Sequence, residues 1–187
     1  MVKFLRLALA FVLALAHAEI EGKWVTTAIT ADNADIIEEG GPMRLYVRKL
    51  ACTETCNRLE DTFYNKANGQ CTKTKVIANR QADGQYRAKF EGDDIFAPVY
   101  ATPECITFVG QNVDRTGWTT NLISVVEKGQ SLTPVQYEKL KEFAKVQNIP
   151  KENIQDILAT DPALQEVLER KPQPKEINCT DKNTENR

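Results

Sequence analysis

The side chains with reactive potential are five cysteines, one histidine and a set of carboxylates. The histidine, His17, falls in an apolar N-terminal leader, and no other histidine follows it. That excludes a Ser-His-Asp or Cys-His pair and any zinc site built on imidazole, so no catalytic residue, metal or cofactor is expected. Cys52 and Cys56 could close a local loop, and Cys71 could reach the tail at Cys179. The second bridge would close a loop of over 100 residues and stabilise the fold by about 4–5 kcal/mol through unfolded-state entropy. Cys105 is then left free. Asn178-Cys179-Thr180 is also the only N-glycosylation sequon, and a disulfide at its middle residue competes with a glycan.

Residues 1–18 read as a secretory signal: Lys3 and Arg6, an apolar run from Leu7 to Leu15, then Ala16-His17-Ala18 as a cleavage site. The run is shorter than the roughly 20 residues that span a bilayer. No later segment is apolar enough to span, so a secreted, soluble product starting near Glu19 is expected. Lys and Arg number 24 against 26 Asp and Glu, and loss of the leader removes two cations. A mildly acidic chain lacks the concentrated basic face that nucleic acid requires. Residues 19–161 read as one domain, and 162–187 as a C-terminal helix and polar tail.

Positioning falls to short alternating segments. Met43, Leu45 and Val47 oppose Arg44, Tyr46 and Arg48; Tyr86, Ala88 and Phe90 oppose Gln85, Arg87 and Lys89; Lys73 and Lys75 face outward from 72–76. Such period-two patterns mark strands with one dry and one wet face. Asn68-Gly69 and Asp83-Gly84 are strong hairpin signals. About eight strands are predicted, near 24–31, 43–51, 58–65, 70–78, 85–90, 95–101, 105–113 and 119–127. The fold class is therefore all-β with a C-terminal helix: an eight-stranded up-and-down antiparallel barrel, or calyx. Thr133-Pro134-Val135-Gln136 is a capping box opening a helix whose stripe is Leu140, Phe143 and Ala144, stopped at Asn148 and Pro150. That stripe should pack outside the barrel. Asp161-Pro162 caps a second helix, Ala163 to Arg170.

The alternation, carried through, places Ile29, Met43, Leu45, Val47, Phe63, Val76, Phe90, Phe96, Ile106, Phe108, Ile123 and Val125 inward. They either fill a core or line a ligand cavity; barrel size and Gly110 on the same face favour a vacancy. Two polar residues share that face. Asn121 would orient a ligand carbonyl or hydroxyl. Asp61 is turned out by a bulge, or sits at a wet rim, or selects ligands, since a bare inward carboxylate is costly. Arg44, Arg48, Lys73 and Lys75 read as a solvated face, and Trp118 as sitting at a barrel end.

Gly22-Lys23-Trp24 matches the first motif of the lipocalins. Asn112-Val113-Asp114 matches the second in the form of the mammalian odorant- and pheromone-binding branch, and Cys52-x-x-x-Cys56 resembles that branch's short-loop signature. The segments "GGPMRLYVR" and "KVQNIPKENI" are similar to its second strand and post-helix stretch. The resemblance runs from about Ile20 to Asp161 and implies a calyx carrying a small hydrophobic molecule. Lys128 stands where many members have an Arg on the motif tryptophan, so Gly22, Trp24 and Lys128 are expected to close the barrel base. Lys in place of Arg keeps the charge and loses the planar stacking surface. The tail cysteine lies later than in relatives, and Cys105 has no counterpart. One branch isomerises a lipid peroxide with a cavity thiolate. Cys105, opposite in phase to Ile106 and Phe108, points out and lacks a neighbouring cation to activate it. The alternative partner is a cell-surface receptor that reads the protein's own surface; monomer and homodimer are both open.

Overall fold

The turns form where the sequence marks them. Between β5 (Gln70–Arg80) and β6 (Tyr86–Lys89) the Asp83 carboxylate accepts from Gln85 N at 3.0 Å, and Gly84 adopts φ +89°. A left-handed residue closes a tight hairpin there, and glycine takes it without steric cost. The computed structural model describes residues 20–161, apart from 54, 68 and 130. The leader, the proposed helix from Ala163 and Cys179 lie outside those residues.

The other strands are β1 (Gly22–Lys23), β2 (Val25–Ala31), β3 (Leu45–Thr53), β4 (Arg58–Ala67), β7 (Asp93–Ala101), β8 (Cys105–Val113), β9 (Thr119–Glu127) and β10 (Gln155–Asp156). From β3 to β9 every strand pairs antiparallel with its successor. The expectation of eight is exceeded for two local reasons. The two residues ahead of the first predicted strand are also extended and the chain bends at Trp24, so β1 pairs with β3 and β2 with β9. One bent strand thus joins the two ends of the sheet. Thr26 Oγ1 stitches the seam, donating to Leu45 O at 2.7 Å and accepting from Val47 N at 3.0 Å. The short β10 adds to the outer side of β2 through Gln155↔Ile29.

Strand β3 begins at Leu45 and carries a bulge between Val47 and Lys49. The extra residue, Arg48, reverses the alternation, so Leu50 rather than Lys49 joins Leu45 and Val47 inside.

The helix α1 (Pro134–Val146) has the full capping box: Gln136 N donates to Thr133 Oγ1, and Gln136 Oε1 accepts from Thr133 N. Leu140 and Ala144 are buried and Phe143 partly so, packed with Ala28, Cys105, Ile123 and Val125 on the barrel's outer surface.

Arg44 and Arg48 are not a solvated face. Arg44 is 4% exposed and donates to Ile37 O at 2.8 Å, Thr160 Oγ1 at 2.6 Å and Tyr46 Oη at 3.0 Å. The segments around Ile37 and Ile157–Asp161 cover this side of β3, which strand alternation alone cannot reveal. Lys73 and Lys75 do remain exposed.

Candidate ligand-binding site

The barrel's two ends differ in chemistry. At one end β2, β4, β6 and β8 begin and β9 stops. Trp24, 1% exposed, donates its indole N–H to Ile20 O at 2.7 Å, and the Lys128 ammonium lies 5.0 Å from its ring centroid. A cation over an indole face is attracted by the ring quadrupole. Leu50, Leu59, Ile106 and Val126 pack with this tryptophan as a floor. Tyr86 Oη donates to Cys56 O at 2.8 Å, tying β6 to the loop that the Cys52–Cys56 disulfide closes. Cys71, at the start of β5, is also disulfide-bonded.

Above the floor lies a cavity of about 130 Å³. Its walls include an edge-to-face pair, Phe63 and Phe90, at 4.9 Å, and a second, Phe96 and Phe108, at 5.8 Å. Of the residues expected inward, Ile29, Met43, Leu45, Val47, Phe63, Val76, Phe90, Phe96 and Phe108 line it. Ile106 faces inward but belongs to the floor beneath. Gly110 also lines the cavity, and a Cβ there would lie 2.6 Å from Phe96 Cβ. Glycine is needed for that close approach.

On β9 the phase is the reverse of the expected one. Leu122, Ser124 and Val126 line the cavity, while Ile123 and Val125 lie under α1. Asn121 likewise faces away, accepting from Gln111 Nε2 at 2.9 Å and donating its backbone N–H to Asp32 Oδ1 at 2.9 Å. The reason is physical: β9 is apolar on both faces, one toward the calyx and one toward the helix, so alternation carried no phase. The partner strand held the missing signal. Phe108 pairs with Ser124 and Gly110 with Leu122, and paired residues share a face.

Asp61 points into the lower half of the cavity, three residues above the start of β4, and is paired with Leu50 and Val76. It is neither turned out nor at the rim; the bulge lies on the neighbouring strand. Its Oδ1 is buried without a hydrogen-bond partner among the described residues. Burial pushes this carboxyl from 3.8 up to about 7.

The opposite end is the mouth. Asn112 Nδ2 donates to Asp94 Oδ1 at 2.9 Å, and Phe90 N donates to Asp94 Oδ2 at 3.1 Å. Burial raises the Asp94 carboxyl to about 6, while Asn112 opposes the rise. The third residue of the same motif, Asp114, accepts from Thr116 N, Thr116 Oγ1 and Trp118 N, shaping the turn that leaves Trp118 exposed at this end. Asp94 went unnoticed in the sequence because an acid at a strand start reads as solvent-facing.

Cys105 is a buried thiol on the outer surface, pushed up to about 12 by burial and by the neighbouring Glu127. It faces α1 rather than the cavity and is not poised as a nucleophile. Among the described residues no cluster of metal-binding side chains occurs, and no helix is long and apolar enough to cross a membrane.

A single antiparallel calyx with a tryptophan-and-cation floor, a flanking helix and an apolar interior is the lipocalin architecture. The model of the lipocalin / cytosolic fatty-acid binding protein family matches residues 21–161, and the chain belongs to that family. It is similar to the odorant-binding protein of Phodopus sungorus, 62% identical over 145 residues covering 78% of this chain and 96% of that one. It is also similar to aphrodisin of Cricetus cricetus, 50% identical over 163 residues covering 86% and 98%. The crystal structure of aphrodisin, described as a sex pheromone from female hamster, matches with a TM-score of 0.74 at 48% identity, covering 76% of this chain and 97% of that one. Bovine odorant binding protein in complex with undecanal matches at 0.57 and 30% identity, covering 76% and 91%.

Proposed function

We propose that this protein is a secreted carrier that takes up one small hydrophobic, volatile-type molecule in its calyx and releases it unchanged. The observation that carries the reading is the apolar cavity above the Trp24 floor, walled by four phenylalanines. Its volume, about 130 Å³, is near the roughly 150 Å³ of a cavity that holds benzene. That size favours compact ligands over long acyl chains. Relatives support the carrier reading itself, since one is named for odorant binding and another was solved with undecanal. The leader at 1–18 supports export.

Binding is non-covalent. Burying about 300 Å² of ligand at about 25 cal/mol per Å² yields roughly 7 kcal/mol gross, which limits a purely apolar ligand to about 10 μM before association costs weaken it further. Titration of delipidated mature protein with a fluorescent apolar probe tests this. Saturable one-to-one uptake, reversed by small volatiles, is the expected result; no uptake overturns it. A second reading, that the protein surface itself signals to a receptor, is favoured by the pheromone description of aphrodisin. Activity retained by delipidated protein in a receptor assay would place that reading first.

A further inference from the structure

Asp61 is the one cavity group that an apolar ligand leaves unserved. Its strand neighbours Leu59 and Phe63 and its cross-strand partners Leu50 and Val76 are apolar. The charged residues nearby in sequence and register face the other way: Glu60 pairs with Lys75 at 2.6 Å on the outer surface, and Lys49 is exposed. Among the described residues the only other ionisable side chain lining the cavity is Asp94, already held at the mouth by Asn112 and Phe90 N. The lining thus carries two acids and no base. A buried carboxyl with an open acceptor atom is relieved by a proton or by a donor that arrives with a ligand.

We propose that the calyx selects small lipophilic molecules ending in one primary amine. The amine nitrogen sits on Asp61 Oδ1 in the lower half of the cavity, and the apolar body points past Phe63 and Phe90 toward the mouth. This rests on the carrier reading and narrows its ligand class. One proton is shared between the carboxyl and the amine, so no net charge is added to the apolar interior. An alcohol donates one weaker hydrogen bond to the same oxygen. A ligand carboxylate meets Asp61 as a like charge and is rejected. The carboxyl titrates at about 7, so the acceptor is available above neutrality and lost below it.

The test is competition of hexylamine, hexan-1-ol and hexanoate against a neutral apolar probe, with wild type and Asp61→Asn, at about pH 8 and about pH 5. In wild type at the higher pH, the amine is expected to bind roughly tenfold tighter than the alcohol, with hexanoate weakest. The amine advantage should collapse in Asp61→Asn, and in wild type at the lower pH, where the alcohol changes little. The wild-type pH comparison stands even if the variant fails to fold. An amine advantage that is absent, or that survives both the substitution and the acid pH, overturns the proposal while the probe still reports a carrier. Failure of the probe and all three hexyl compounds to bind overturns the carrier reading itself.

Discussion

Arg48 Nη2 lies 2.6 Å from Asp161 Oδ1, joining the bulge of β3 to a carboxylate whose side chain is fully buried. The same guanidinium lies 5.5 Å from the Tyr64 ring centroid. Four residues earlier Arg44 reaches Thr160, so both arginines grip the post-helix segment. This clasp holds the chain across the outer side of the barrel.

Truncating Arg48 takes a charge-assisted hydrogen bond away from a buried carboxylate. Arg48→Ala should therefore lower stability by about 3 kcal/mol, read as a shift of the urea midpoint at constant slope. A loss under about 1 kcal/mol would mean that the pair behaves as an exposed surface bridge.

Asp61 makes stability depend on pH with a definite sign. Its carboxyl titrates at about 7 in the fold against 3.8 ordinarily, so the folded state holds the proton more tightly. Stability is fully present below about pH 4 and is lost as pH rises to about 7, by a cost on the order of 4 kcal/mol. Asp94 contributes in the same direction in both proteins and cancels from the comparison. The melting temperature of Asp61→Asn relative to wild type should rise across that window and level off above it. A flat difference would show that water already reaches the carboxyl.

The phase of β9 separates two neighbouring substitutions. Leu122→Trp fills the cavity from its inner face and should abolish probe uptake in a protein that still melts cooperatively. Ile123→Ala removes packing beneath α1 and should cost about 2–5 kcal/mol. Probe titration and urea melts of both variants check this; the reverse pattern would restore the phase expected from alternation.

Cys105 should resist modification. A thiol buried and held near 12 offers almost no thiolate at neutral pH. An aromatic disulfide reagent is expected to leave the native, unreduced protein untouched and to titrate one thiol per chain in guanidinium. Rapid reaction of the native protein would place Cys105 at the surface.

Much of the architecture was legible because it is local. The Asp83-Gly84 turn, the Thr133–Gln136 capping box and the apolar stripe of α1 each depend on residues within one turn of one another. Inward assignments held on strands with one wet face, as at Phe63 and Val76. They failed where that premise failed. On β9 both faces are dry; on β3 the bulge at Arg48 shifts the phase by one and admits Leu50. Arg44, charged and in an outward position, is covered by residues more than 110 positions away.

Read alone, the chain determined an all-β calyx with one docked helix, the absence of histidine beyond residue 18, and an apolar interior. Those follow from composition and short-range periodicity. Only the tertiary structure decided that Asp61 faces the cavity unpartnered, that Asn121 does not, and that Asn112 holds Asp94 at the mouth. Each depends on strand register and on what covers a strand's second face. Both are set by pairings between residues distant in sequence, which no local pattern records.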